Sequence, residues 1–119
     1  MPEAVVVAAT RSPIGRANKG SLVDMRPDDL ATQVVTSLME RSGVDASEVE
    51  DLIMGCGQPA GESGYNIGRV VAVEAGMPDV PGVTVNRYCS SSLQTTRMAA
   101  HAIKAGEGDC FISAGVETV

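Results

Sequence analysis

The chain has 119 residues, a net charge of −6 and an apolar fraction of 44%, which is enough for one folded domain with a real core and too little for two. Its nine Lys and Arg residues are dispersed and its aromatics number one Phe, two Tyr and no Trp, so a phosphate-tracking or base-stacking nucleic-acid surface is excluded. Three cysteines and one histidine make neither a disulfide framework nor a zinc site, so the expected setting is reducing and cytoplasmic, with no metal.

In chain order, "EAVVVAAT" (3–10) is a short β-branched apolar run stopped by "RSPIG", the pattern of a buried strand. It is too short to cross a bilayer, and no basic segment precedes it, so no membrane role is expected. "RPDDLATQVVTSLMERSG" (26–43) carries Leu30, Val34, Leu38 and Met39 near helical spacing. Pro27, Asp28 and Asp29 suit its first turn and Gly43 its end. "DLIMGCG" (51–57) is a second strand, and the glycine-rich "QPAGESGYNIG" leads into a helix over 69–76. "PGVTVN" (81–86) is a third strand, "SSLQTTRMAAHAIKAG" (91–106) a third helix and "DCFISAGVE" (109–117) a fourth strand. The order β-α-β-α-β-α-β, with nearly continuous apolar strands, predicts an α/β fold with a mainly parallel sheet covered by helices. The third helix is apolar around most of its circumference and rich in alanine, the pattern of a buried helix. The chain stops just after a buried strand with no polar cap, as a fragment would.

Cys89 falls where the third strand gives way to the third helix. Free N–H groups and the positive end of the helix dipole at that corner stabilise a thiolate, the reactive form of cysteine. Ser90, Ser91 and Ser92 are placed to cap the first-turn amides, and the same amides suit a developing oxyanion. Cysteine is also a commonly buried small residue, so the local pattern leaves both a nucleophile and a packing residue open. A nucleophile needs a base within hydrogen-bond reach. His101 lies twelve residues further along the same helix, about 18 Å away at roughly 1.5 Å per residue, so it is not that base. A partner for Cys89 is expected outside these 119 residues.

Three blocks, in order and covering essentially the whole chain, resemble the N-terminal part of thiolases. "VVVAATRSPIGRANKGSL" is similar to their opening strand and Arg-Ser/Thr-Pro-Xaa-Gly turn. "MGCGQPAGESGYNIGRVVAVEAGMP" matches the strand, loop and helix that follow. "VNRYCSSSLQTTRMAAHAIKAGEGDCFISAGVE" resembles the block around the acyl-accepting cysteine, ending in the glycine-glutamate pair after the next strand. The resemblance implies a thiolase-like fold, mixed but mainly parallel, with a buried helix after the nucleophile. Residues 1–119 would be a truncated N-terminal domain, the loop domain and C-terminal domain being absent. It implies acyl transfer from a 3-ketoacyl-CoA to CoA, or the reverse Claisen condensation, through a thioester on Cys89, whose own N–H helps bind the oxyanion. CoA is then a co-substrate, no cofactor is permanently bound, and acyl-CoA and CoA are the partners. The histidine of a Gly-His-Pro block and a second cysteine of a Cys-Xaa-Gly block would lie beyond the chain, so the fragment alone is expected to be inactive.

Cys56 in "GCGQ" superficially matches Cys-Xaa-Gly but falls on the second strand, so Cys56 and Cys110 read as structural. Many thiolases carry glycine where Ser92 stands, which leaves chain-length preference open. The resemblance further implies a homodimer or homotetramer, with "VTVN" (83–86) near the subunit interface. Two other readings compete with an acyl-CoA thiolase: a β-ketoacyl synthase relative and a non-catalytic thiolase-like scaffold.

Overall fold

The computed structural model describes residues 2–118. The apolar run at 52–56 forms the centre of the sheet. Strand β1 (Asp51–Gly55) is paired in parallel on both sides, with β2 (Gly82–Val85) and β3 (Phe111–Gly115), in the order β2-β1-β3. A central parallel strand is covered on both faces, so its side chains cannot alternate between apolar and polar. Leu52 and Met54 are accordingly wholly buried, and Ile53 nearly so.

The two faces of β1 meet different helices. Leu52 and Met54 point into the main core with Ala31 and Val35 of helix α1 (Pro27–Ser42) and with Ile67, Val71 and Ala72 of helix α2 (Ile67–Glu74). Each fully buried large aliphatic side chain there stabilises the fold by about 1.5–3 kcal/mol relative to leaving it exposed. Ile53 and Gly55 face the other way, toward helix α3 (Ser91–Ala105), and so does Ser113, which stands opposite Ile53 in the register. On this side the contact is polar and close: Thr95 Oγ1 lies 2.9 Å from Ser113 Oγ.

Local chemistry sets the helix ends as the sequence implies. Pro27 occupies the first turn of α1 beside Asp28 and Asp29, and Gly43 ends it at φ 69°. The Arg26 guanidinium donates to both oxygens of Asp28, at 3.0 and 3.1 Å, and also to Glu62. This fan of bonds fastens the start of α1 to the 3₁₀ turn Gly61–Ser63 in the glycine-rich loop. Asn66, at φ 58°, then swings the chain into α2. Its side chain donates to the Gly82 carbonyl and accepts from the Thr84 hydroxyl, which in turn accepts the Gly68 N–H.

Three expectations need correction. The segment 3–10 forms no strand: Val5, Val6 and Val7 are 72%, 80% and 75% exposed. An apolar β-branched run favours a strand only where another strand accepts its hydrogen bonds, and among the described residues none does. The expected four strands are therefore three among the described residues, and these three run wholly parallel. Helix α3 is also not buried all round within the described chain. It presents a stripe of small residues, Ser91, Thr95 and Ala99, to the sheet, while Leu93 is 72% exposed. Small side chains at every fourth position let the helix lie close to the strands, and Leu93 and Met98 fall off that stripe.

The Asp28 carboxyl is held below the ordinary carboxylate range, chiefly by the hydrogen bond from Arg26 and against the opposing effect of burial. A depressed folded-state pKa adds stability that is present above the unfolded value of 3.8 and disappears as the pH falls through the folded value. Asp28→Asn is therefore expected to destabilise the protein at pH 7, with the gap from the native sequence closing as the pH is lowered below 3.8. Denaturant unfolding at pH 7 and at about pH 3 measures both quantities.

Candidate functional site

The carboxyl ends of parallel strands, with loops leading to helix N-termini, are where α/β proteins gather reactive groups. Here the ends of all three strands converge on the first turn of α3. Gly55 ends β1 against the helix backbone, where a Cβ would stand 2.6 Å from the Ser91 carbonyl carbon and from the Ser92 nitrogen. Gly115 ends β3 against Ser92, whose Cβ would lie 2.7 Å from a Cβ at 115. The Ser92 hydroxymethyl group fits beside β3 because residue 115 has no side chain. Between these elements lies an open cleft of about 490 Å³ whose walls include Gln58, Tyr88, Cys89, Ser92 and Glu117.

Cys89 is exposed in this cleft, while Cys56 is buried and Cys110 half-buried. It is the middle residue of a 3₁₀ turn, Tyr88–Ser90, that joins β2 to α3. Tyr88 takes φ 49°. That left-handed conformation is uncommon for a residue with a bulky side chain; it costs about 1–3 kcal/mol and persists only where its surroundings impose it. The surroundings are specific. Asn86 Oδ1 accepts the Tyr88 N–H at 2.8 Å, Ser91 Oγ accepts the Arg87 N–H at 2.8 Å, and the Ser91 hydroxyl donates to the Tyr88 carbonyl at 2.7 Å. Ser90 Oγ donates to the Arg87 carbonyl.

The three serines thus behave differently from the expected caps. None accepts a first-turn N–H of α3. The positive φ at Tyr88 turns the carbonyls of residues 87 and 88 toward the serine hydroxyls, which donate backwards into the turn. Among the described residues no acceptor takes the Cys89 N–H. A free amide beside an exposed thiol is the geometry that binds an oxyanion on a group attached to that sulfur.

Glu117, just beyond β3, closes the opposite wall. Its carboxylate accepts the Gly57 N–H at 2.6 Å and the Gln58 N–H at 3.1 Å, fixing the loop that leaves β1. The approach requires glycine at 57, where a Cβ would stand 2.7 Å from Glu117 Oε2 and 3.2 Å from Tyr88 Cα. The Cys56 thiol is pushed up, first by burial and further by the nearby Glu117 charge. Burial, with the charges of Glu48 and Glu50, does the same to Cys110. His101 lies on the exposed side of α3, far along the helix from Cys89. Elsewhere Asp28, Asp29 and Glu74 bring carboxylate oxygens within 4.8 Å of one another, but Asp28 is already paired with Arg26 and Glu74 accepts from Thr32.

The family model for the thiolase N-terminal domain matches residues 4–119. The chain belongs to the thiolase family. It is 45% identical over 120 residues to a 3-ketoacyl-CoA thiolase of Bacillus subtilis (strain 168), an alignment that covers 100% of this chain and 31% of that protein. It is 46% identical over 121 residues to a beta-ketoadipyl-CoA thiolase of Acinetobacter baylyi, covering 100% of this chain and 30% of the relative. A 3-ketoacyl-CoA thiolase of Aeromonas salmonicida is 42% identical over 119 residues, covering 98% of the chain and 31% of the relative. The chain therefore spans about three-tenths of the length of these thiolases. The parallel α/β sheet with its flanking helices agrees with a thiolase N-terminal domain.

Sequence reasoning singled out Cys89 and Ser92 and missed what surrounds them. Tyr88, Ser91 and Glu117 were legible only as a cap region and a glycine-glutamate pair. Their roles depend on a positive φ and on contacts across 60 residues of chain, between Gly57 and Glu117, for which a local pattern holds no signal. The exposure of Cys89, against the raised thiols of buried Cys56 and half-buried Cys110, predicts selective chemistry. Brief treatment with limiting iodoacetamide at neutral pH is expected to place the first adduct on Cys89, as read by peptide mass spectrometry, with Cys56 modified only after unfolding.

Proposed function

We propose that the intact protein is a thiolase of the acetyl-CoA C-acyltransferase type, acting on 3-ketoacyl-CoA, and that residues 1–119 are its N-terminal domain and carry the acyl-accepting nucleophile. The observation that carries this reading is the exposed Cys89 thiol at the strand-to-helix corner, beside its own uncommitted N–H. The names of the similar proteins support the substrate class.

In this reading the Cys89 thiolate attacks the 3-keto carbonyl carbon, and the carbonyl oxygen becomes an oxyanion that the Cys89 N–H helps to hold. The C2–C3 bond then breaks. Its electron pair goes to the departing acetyl-CoA enolate, which takes a proton, and the shortened acyl chain stays on sulfur as a thioester. The thiol of free CoA gives up its proton and attacks that thioester, which releases acyl-CoA and regenerates the Cys89 thiolate. The reverse sequence is the Claisen condensation. CoA is a co-substrate, and the two transfers call for no bound cofactor.

The groups that move the protons are proposed to lie outside these residues, because His101 is about 18 Å along the helix from Cys89 at roughly 1.5 Å per residue. Ser92, which lines the cleft beside Gly115, is in position to affect which acyl chains fit. The sheet ends in β2 on one edge, and an open parallel edge can pair with a second copy. We therefore place the homodimer contact along 83–86. Three free cysteines suit a reducing cytoplasm, and no helix among the described residues is long and apolar enough to cross a membrane.

Cys89→Ser in the intact protein is expected to abolish the acyl-enzyme adduct seen by mass spectrometry after incubation with a 3-ketoacyl-CoA, while circular dichroism and thermal midpoint stay near those of the native protein. An adduct on another cysteine would overturn the assignment. The 119-residue chain alone is expected to show no CoA-dependent cleavage of the same substrate, and measurable turnover would place the base within it.

A further inference from the structure

The turn that carries Cys89 begins with a bulky residue at positive φ, Tyr88, and a single buried side chain spans it. Ser91 is 5% exposed. Its one hydroxyl both accepts the Arg87 N–H and donates to the Tyr88 carbonyl, at 2.8 and 2.7 Å, so it brackets the residue at φ 49° from either side. The Ser91 Cβ cannot drift, because the helix backbone at 91–92 is seated against Gly55. The peptide group that follows Tyr88 contains the Cys89 N–H. Any relaxation of Tyr88 toward negative φ therefore rotates that N–H and re-aims the thiol.

We propose that Ser91 is a positioning residue for the nucleophile: its hydroxyl holds Tyr88 in the left-handed conformation and so fixes the direction of the Cys89 N–H and thiol. The exposed serines on either side do not share this geometry. Ser90 Oγ reaches only the Arg87 carbonyl, and Ser92 lies against β3. A residue held at positive φ by a buried hydroxyl is a means of keeping a reactive group at one orientation when small displacements cost large factors in rate.

This inference deepens the acyl-transfer reading and rests on it for the catalytic readout, so its test has a second readout that does not. In the intact protein, Ser91→Ala is expected to slow Cys89 acylation by a 3-ketoacyl-CoA by about tenfold at saturating substrate, with KM changed less than about threefold, because the hydroxyl orients the thiol and does not bind substrate. The rate of Cys89 alkylation by iodoacetamide, measured across about pH 6–10 to span the ordinary thiol range, is expected to change in the same variant. The decisive step is a double-variant cycle. Tyr88→Asn places at 88 a residue that tolerates positive φ, and in that background Ser91→Ala is expected to cost less than about threefold. Tyr88→Val, which keeps the hydroxyl but opposes positive φ, is expected to reproduce the loss; it also tests the idea should Ser91→Ala fail to fold.

A Ser91→Ala loss of equal size with and without the Tyr88→Asn substitution overturns the proposal, as does unaltered alkylation and acylation in Ser91→Ala, or native acylation by Tyr88→Val. If the native protein takes no acyl group on Cys89 but the alkylation cycle shows the expected coupling, the acyl-transfer reading fails and the positioning role stands.

Discussion

Everything at this site depends on how closely the first turn of α3 can approach the ends of β1 and β3. Two glycines make that approach possible. Any side chain at Gly55 would meet the helix backbone, and any at Gly115 would meet Ser92. With both absent, the helix start sits directly on the carboxyl edge of the sheet, and the residues just before it are forced through a tight turn. That seating fixes the Ser91 backbone beside the turn, where the Ser91 hydroxyl reaches the Arg87 N–H and the Tyr88 carbonyl and the Cys89 thiol lies exposed.

The other walls of the cleft rely equally on missing side chains. Gly57 lets the Glu117 carboxylate come within 2.6 Å of its N–H, and a carboxylate accepting two backbone amides makes short, strong bonds. Glu117 thereby ties the chain after β3 to the chain after β1 across the mouth of the cleft. On the far side of the sheet the logic changes to ordinary apolar packing, with Leu52 and Met54 buried against α1 and α2. The molecule is thus divided by its sheet into an apolar face that holds it together and a face of small polar residues that presents the thiol. The proposed acyl-transfer reading draws on both: a stiff platform, and a helix start seated close to the sheet edge.

How much of this was legible beforehand varied with the range of the interaction. The three helices and the three paired strands were visible, within two residues, in the helical spacing of 26–43, in continuous apolar runs and in the glycine-rich breaks between them, because these signals are written in consecutive residues. The helix ends were visible because Pro27 and Gly43 act locally. The apolar run at 3–10 misled for the same reason in reverse: composition reports that a segment suits a strand, not that a partner strand is in place. Helix α3 misled through its alanines, since apolar composition does not say which face is covered. Cys89 was found from its corner position and from the resemblance around it, whereas Ser91 and Glu117 were not singled out, because nothing in "SSS" or "GVE" announces a hydrogen bond to a turn or to a strand end.

By itself, then, the sequence determined what consecutive residues can decide: an α/β chain, the positions of its helices, a cysteine at a strand-to-helix corner and the family to which that corner belongs. Only the tertiary structure decided that the strands run β2-β1-β3, that Cys56 is shut in while Cys89 is open, and that Ser90 and Ser91 bond into the turn while Ser92 lies against β3, none of them capping the helix. The physical reason is that burial, register and backbone strain are set by residues far apart in the chain. Gly55 and Ser91, or Gly57 and Glu117, acquire meaning only when packing brings them into contact.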